Sequence, residues 1–495
     1  MVPEGRALLE QEILPQYIPK CRWFGGKART PRQFRVHDAV PIGSASARLV
    51  FVEIEYAEGP FDHYQLPMQT AVGEAASSLA AAVPGALITR LADGALFDAL
   101  HDEAFRAGLF ELMARSGSVE GEAGQVLGIP GPSAASFPAA PISRPLAVEQ
   151  SNSSIIYGDR IFMKLYRRLE EGVNPDAEIL RFLGEQKFPH VPAFEGAIEY
   201  RATGGNERIL ALAAAVVSND GDAWSFTLRQ LTPIFERLVA GDEAGAAALE
   251  KPYLARAAQL GQRTGALHKA LATATEDPDF HSEPLSGEDL SELSAAVQAS
   301  IAEVRRLVEA RVESLDADTA ALARRWLEAV PEYERQGTGI ASIGTTAAKT
   351  RTHGDYHLGQ VLNSGDDFVI IDFEGEPLRS LAERRRKRSP LRDVAGMLRS
   401  FHYAAHSVRG SFVEPPVSLI ESAERWTERA VAAFLDAWEN ETLGAVFRDP
   451  DPAIERALLD AFLLEKALYE VRYEVNNRPT WLNIPLRGVL GLLAK

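Results

Sequence analysis

The chain has 495 residues, 46% hydrophobic and 24% charged, with a formal net charge of −17. This composition predicts a globular protein of about two to four folding units, and the acidic balance argues against nucleic acid or an anionic membrane as partner. Cys21 is the single cysteine, which excludes a disulfide framework and a cysteine-based metal site.

The N-terminus, Met1 to Arg6, lacks the charged and apolar regions of a signal peptide. The longest apolar run, Ile209 to Val217, is nine residues, too short to span a bilayer, so a cytoplasmic protein is expected. Residues 1–108 mix strand-like runs (Leu49 to Tyr56, His63 to Met68) with Gly- and Pro-containing turns. Residues 109–217 hold a short helix, a Gly- and Pro-rich passage at 127–141, then strands and one more helix. Residues 218–495 read as mostly helical, with long amphipathic patterns such as Leu290 to Trp326. A strand-rich acidic island at 352–377 interrupts them.

Within the middle region, Ser154 to Tyr166 reads as a β-hairpin turning near Gly158-Asp159. Lys164 lies in its otherwise apolar second strand, either as an edge residue reaching water or as a buried ammonium with a partner. Asn174-Pro175-Asp176 then opens a helix, Asn as N-cap and Pro at the first position, which carries Glu178. Lysine on a strand and glutamate on the next helix form the ion pair that positions ATP phosphates in protein-kinase-like folds, which favours the buried reading. The loop from Glu149 to Ser154, with Ser151, Ser153 and Ser154, precedes the hairpin where a phosphate-covering loop would sit, but a polar surface turn fits equally. Ala214 to Ser218, including Val216 and Val217, would form the hinge beside an adenine.

The acidic island is the most informative stretch. Thr352 to Gln360 sets Asp355 in a loop with Gln360 five residues on, and Asp372 follows the apolar Ile370-Ile371. Phosphoryl transfer needs that order: one carboxylate to orient the attacking hydroxyl, an amide and a carboxylate to hold Mg²⁺. Asn363 to Asp367 reads as a tight turn between short strands. Glu374 is a further metal candidate and Glu376 reads as a structural salt bridge, with Mg²⁺, Arg392 or the basic run Arg384 to Arg388 as balancing cations. That basic run reads most simply as a solvated helix face. His353 and His357 read as hydrogen-bonding supports of the loop, because a histidine metal site needs a third partner. Near the end, Lys466, Tyr469 and Tyr473 share one helical face with Glu470 and Glu474 adjacent. That face suits sugar recognition or a plain amphipathic surface helix. Trp481 in a Pro-flanked loop suits a stacking platform or a C-terminal core anchor.

Taken in order, these motifs resemble the bacterial maltokinases, including the kinase domain fused to trehalose synthase. The likeness spans nearly the whole chain: Leu14-Pro15, Arg22 to Lys27, Tyr64 to Pro67, Ser151 to Lys164, Gly221 to Trp224, Asp355 to Gln360, Asp372 to Pro377, Ser389 to Phe401, Glu465 to Glu474, and Asn477 to Trp481. The resemblance implies an α+β, protein-kinase-like bilobal fold with an added N-terminal cap subdomain over 1–108. A nucleotide lobe over 109–217 and a helical lobe over 218–495 would follow. It implies ATP- and Mg²⁺-dependent phosphorylation of maltose at the anomeric hydroxyl, feeding α-glucan and glycogen synthesis, with trehalose synthase as a partner. Asp355 corresponds to the catalytic base, Gln360 and Asp372 to metal ligands, and Lys466, Tyr469, Glu470, Tyr473 and Trp481 fall where that family contacts sugar. Tyr356 departs from the pattern, where a smaller aliphatic residue is expected. Glucosamine kinases share much of the acidic and Ser-Pro-Leu-Arg-Asp signature, and aminoglycoside phosphotransferases share the layout. A non-catalytic scaffold of the glucan pathway is the alternative from another class, opposed by the intact Lys164, Asp355, Gln360 and Asp372.

Overall fold

Period-two alternation of apolar residues builds sheets in the N-terminal part of the chain, and long amphipathic patterns build helices after it. The computed structural model describes residues 3–44, 46–137, 141–146, 151–205, 207–377, 379–412 and 416–493. Two compact units result, Met1–Glu185 with Pro192–Val216, and Gln186–Val191 with Val217–Lys495.

The first unit opens with short helices α1 (Pro3–Leu8) and α2 (Leu14–Tyr17), followed by β1 (Pro31–Pro41), β2 (Ala47–Tyr56), β3 (Asp62–Val72), α3 (Gly73–Ala82), β4 (Leu87–Leu91) and β5 (Gly94–Asp98). These strands form an antiparallel sheet in the order β1-β2-β3-β5-β4. Alternate residues of β2 and β3 (Val50, Val52, Ile54; Tyr64, Leu66, Met68) close a core with Leu14, Ile18 and Phe24. Gly25 and Gly26 lie in a turn and are also packing positions. A Cβ on Gly26 would fall 2.2 Å from the Tyr56 hydroxyl, and the Gly25 N–H donates to the Tyr64 hydroxyl at 3.2 Å.

The unit continues with α4 (Glu103–Ala114), β6 (Ser118–Glu120), β7 (Gly124–Pro130), β8 (Ser143–Pro145), β9 (Asn152–Tyr157), β10 (Ile161–Tyr166), β11 (Arg168–Leu169), α5 (Pro175–Glu185), β12 (Phe194–Ala202) and β13 (Glu207–Ala215). A second sheet runs β6-β7-β12-β13-β10-β9-β8, while β11 pairs with β3 of the first. The expected hairpin is β9–β10, and its turn carries Gly158 and Asp159 at positive φ. Gln65, from the Tyr64 to Pro67 motif, is buried and donates to the Tyr166 and Leu210 carbonyls at 2.7 and 2.6 Å. The amide thereby stitches the first sheet to the second.

The second unit holds α6 (Ala223–Val239), α7 (Glu243–Leu271), β14 (Glu283–Pro284), α8 (Gly287–Glu309), α9 (Ala317–Gly339), β15 (Ala348–Lys349), β16 (Val361–Ser364), β17 (Asp367–Ile370), α10 (Leu381–Arg385), α11 (Leu391–Ser411), α12 (Ser418–Glu441), α13 (Pro452–Asn477) and α14 (Asn483–Leu492). The amphipathic pattern from Leu290 to Trp326 divides into α8 and α9. Asp316 interrupts it, because its side chain accepts the Thr319 N–H at 3.0 Å and starts a new helix. In the acidic island only the hairpin β16–β17 is strand. α11 is buried on nearly every face, through Val394, Ala395, Met397, Leu398, Phe401, Ala404 and Ala405. It packs against α6, α12, α13 and α14 and serves as the spine of this unit. Among the described residues no helix is long and apolar enough to cross a membrane.

Candidate active site

Two loops and three helices of the second unit position the catalytic candidates. Asp393, in the first turn of α11, accepts the backbone N–H groups of His353 and Gly354 at 2.7 and 2.9 Å. Burial raises the proton affinity of its carboxyl, but His268, His353 and the Gly354 amide outweigh that and hold it ionised below the usual carboxylate range. The residue was quoted in the sequence motif without a role, and its position just inside a helix N-terminus was the available signal. His353 donates to the Ile371 carbonyl at 2.9 Å, and His357 accepts the Gly359 N–H at 3.0 Å, so both histidines brace the loop. Burial keeps the His357 imidazole neutral. Tyr356 is buried with its hydroxyl 2.8 Å from that of Thr264 on α7, so the unexpected aromatic residue carries its own polar partner.

Asp355 stands between these supports, with Oδ1 3.4 Å from Lys466 Nζ on α13. Gln360 donates to Asp372 Oδ2 at 3.0 Å, so the two expected metal ligands are adjacent. Asp372 lies two residues beyond β17, at φ +66°. Beside it, the Glu374 carbonyl accepts from Arg384 at 3.0 Å.

A cavity of about 360 Å³ opens next to Asp355, a size ordinary for small-molecule sites. Asp355, Arg392, Lys466 and Tyr469 line it, together with residues to which the sequence reading gave no role: Arg379, Glu465, Arg472, and Ala296, Ala299, Ser300 and Glu303 of α8. The α8 residues follow the spacing of one helical face. That spacing was legible, but a small-residue stripe carries no chemistry that distinguishes it from packing.

The cavity is densely charged, and each carboxylate lining it has a partner. Glu376 is buried. It meets Arg379 at 2.5 Å and Arg392 at 3.1 Å through one oxygen, and Lys466 at 3.2 Å through the other. Burial would raise its pKa, but the charges of Lys466, Arg392 and Arg379 prevail and bring it to about 2. Glu465 meets Arg379 at 3.4 Å and Arg392 at 3.6 Å, and Glu303 meets Arg472 at 3.1 Å. Burial also works against the Lys466 ammonium, yet Asp355, Glu376 and Glu470 raise its pKa and keep it charged. The basic run differs from the solvated face expected: Arg385, Arg386 and Lys387 pair with Asp279, Glu292 and Glu283.

Three expected sugar contacts stand outside the cavity lining. Glu470 is held in a buried ion pair with Arg399 at 2.7 Å. Tyr473 stacks on Tyr469 at 6.4 Å between centroids. Trp481 lies under the Arg478 guanidinium, 4.8 Å from its ring.

In the first unit, β10 is flanked by β9 and β13, so Lys164 is not an edge residue. Its Nζ lies 3.3 Å from Asp176 Oδ2, which the Tyr166 hydroxyl also reaches at 3.2 Å. Asn174 caps α5 as expected, accepting the Asp176 N–H at 2.8 Å. Glu178 is buried on the same helix. Asp176, which the sequence reading placed only as part of the helix start, is thus one acid beside Lys164. Of the phosphate-covering loop, Glu149 and Gln150 lie outside the described residues, Ser151 is exposed, and Ser153 and Ser154 are strand residues of β9. Ser153 is buried and accepts from Arg167 Nε at 2.7 Å, so its hydroxyl is turned to the fold. The chain passes from one unit to the other between Val216 and Val217, where the hinge was expected.

Residues 17–102 match the maltokinase N-terminal cap domain, and residues 143–375 match the phosphotransferase enzyme family. Those stretches are similar to that phosphotransferase family and to a maltokinase-type cap. It is similar to a glucosamine kinase of Streptacidiphilus jiangxiensis, 26% identical over 368 residues, 72% of this chain and 75% of that protein. A glucosamine kinase of Mycolicibacterium smegmatis is 28% identical over 357 residues, 71% and 79% of the two chains. The structure of a glucosamine kinase in complex with glucosamine, ADP and inorganic phosphate matches at TM-score 0.69 and 19% identity, covering 100% of both chains. The fold is therefore the protein-kinase-like phosphotransferase fold with an N-terminal cap, and the protein is a kinase.

Proposed function

We propose that this kinase transfers the γ-phosphoryl group of ATP to the anomeric hydroxyl of maltose, giving maltose 1-phosphate and ADP. The observation that carries the choice of sugar is the paired state of the cavity beside Asp355. Glu303, Asp355, Glu376 and Glu465 each face a guanidinium or ammonium. An ammonium sugar would need an unbalanced carboxylate, whereas a neutral sugar finds alternating donors and acceptors for its hydroxyls. The match of residues 17–102 to the maltokinase cap supports the same reading.

In this reading Asp355 accepts the hydrogen bond of the attacking hydroxyl and takes its proton as the new P–O bond forms. Lys164 brings positive charge to the phosphates, with Asp176 and Glu178 on α5 to orient it, and the chain at Val216 and Val217 borders the adenine. The amide oxygen of Gln360 and the carboxylate of Asp372 are hard oxygen donors that suit Mg²⁺, with Glu374 beside them. When bound, Mg²⁺ supplies charge neutralisation on the transferring phosphate. Lys466, Arg392 and Tyr469 hold the sugar, while Glu470, Tyr473 and Trp481 act through the shape of that end of α13. Trehalose synthase as supplier of maltose and glucan synthesis as the outlet belong to this proposal.

A second reading, glucosamine phosphorylation, is favoured by the two relatives described as glucosamine kinases. ADP release with Mg²⁺-ATP across maltose, glucosamine, glucose, maltotriose and kanamycin, with products identified by mass, decides between them. Turnover on maltose giving a reducing-end phosphate is expected, and Asp355→Asn should remove nearly all of it while far-UV circular dichroism is unchanged. Turnover on glucosamine alone would overturn the substrate, and more than a few per cent residual activity in the variant would overturn the base. No turnover on any sugar would favour a scaffold role.

A further inference from the structure

α11 carries His402 and His406, one helical turn apart, and α12 brings Glu424 against them. The two imidazole rings lie 4.4 Å apart between centroids. Glu424 Oε1 stands 2.9 Å from His406 Nε2 and 3.7 Å from His402 Nε2. Both histidines are buried, at 5% and 3% exposure, while the Glu424 side chain is 42% exposed. Among the described residues, three of the four ring nitrogens (His402 Nδ1 and Nε2, His406 Nδ1) have no hydrogen-bond partner. Buried imidazole nitrogens without partners are costly in a plain core, and none of this cluster takes part in the phosphoryl-transfer site.

One ligand atom from each of the three residues lies within 4.8 Å of the others. Bonds of about 2.0–2.2 Å to Zn²⁺ in a tetrahedral arrangement place ligand atoms roughly 3.4 Å apart, and the two measured separations fall on either side of that value. Arg409 and Arg487 face the same region and feel the Glu424 and Asp318 carboxylates. They lower the affinity for a cation without removing a ligand.

We propose that His402, His406 and Glu424 form a site for a divalent transition-metal ion, Zn²⁺ by ligand type, with a fourth position open to water on the exposed side of Glu424. Two imidazoles and one carboxylate select such an ion over Mg²⁺, which prefers oxygen ligands. The ion would pin α11 to α12, and α11 is the helix that carries Arg392 and Asp393.

The test uses the full-length chain, freed of metal by chelator and titrated with Co²⁺ without nucleotide or Mg²⁺. One equivalent should bind with the intense visible absorption of four-coordinate Co²⁺. Zn²⁺ should displace it and raise the melting temperature. His406→Ala and, separately, Glu424→Gln at the half-exposed position should lower Zn²⁺ affinity by at least ~100-fold, the upper end of what outer-sphere losses cost. Both should abolish the absorption while far-UV circular dichroism is retained. Absence of that absorption and of Zn²⁺ retention in the wild-type chain would overturn the site, as would unchanged binding in Glu424→Gln.

Discussion

Glu376 places two oxygens among Arg379, Arg392 and Lys466 in a buried setting, so its ionised form stabilises the native state in a pH-dependent way. Its pKa falls from 4.5 unfolded to about 2 folded. A depressed carboxylate pKa contributes stability that is fully present above the unfolded value and is lost as pH falls through the folded one. The contribution is at most roughly 3 kcal/mol by linkage. Glu376→Gln should therefore unfold at lower urea than the wild type near neutrality, and the gap between the two should narrow between about pH 4.5 and pH 2. A gap independent of pH would refute the ion-pair account. At this scale the sequence singled out Asp355 and Lys466, which lie side by side, and Gln360 and Asp372, which are hydrogen-bonded, because their residue types carry chemistry themselves. It missed Asp176 and Asp393, because an acid at a helix start reads first as a capping residue.

At the scale of elements, α11 sets the position of the loop carrying Asp355 through contacts that leave little clearance. Asp393 holds two loop amides, the Ser400 hydroxyl accepts the Leu358 N–H at 3.1 Å, and Gly396 lies against the loop backbone. A Cβ at Gly396 would fall 2.5 Å from the Tyr356 carbonyl oxygen, so the loop would have to move. Gly396→Ala should therefore lower kcat by ten-fold or more, on the order of 1–3 kcal/mol of overpacking strain. Nucleotide binding measured by calorimetry should change little. Unaltered kcat would show that the loop yields without cost. The helix falls in the region that reads as mostly helical, and the Ser389 to Phe401 motif marked it as a signature. The reason for a glycine there was not legible, because it depends on a loop 40 residues upstream.

At the scale of the whole molecule, the chain changes units at 185/186, 191/192 and 216/217. Residues 186–191 belong to the second unit, where the His190 carbonyl accepts the Ile370 N–H at 2.8 Å and His190 meets Asp367 at 3.6 Å. A fragment beginning at 217 lacks that acceptor at the end of β17, two residues before Asp372. It should unfold at lower temperature than the second unit in the full chain, by an amount on the order of 1–3 kcal/mol if the amide is left buried and unpaired. Differential scanning calorimetry measures this, and an unshifted transition would contradict it. The passage at 216/217 lies at the end of an apolar strand, whereas a six-residue excursion carries no periodicity from which to infer its partner.

The matched carboxylates and cations around the cavity beside Asp355 also bear on protons. A cavity whose acids already face cations gives a neutral ligand no unbalanced charge to meet. Maltose binding should then release the same heat in phosphate and in Tris, buffers of very different ionisation enthalpy. Glucosamine, whose amino group titrates close to neutrality, would exchange protons with the buffer on entry, and its apparent enthalpy would follow the buffer chosen.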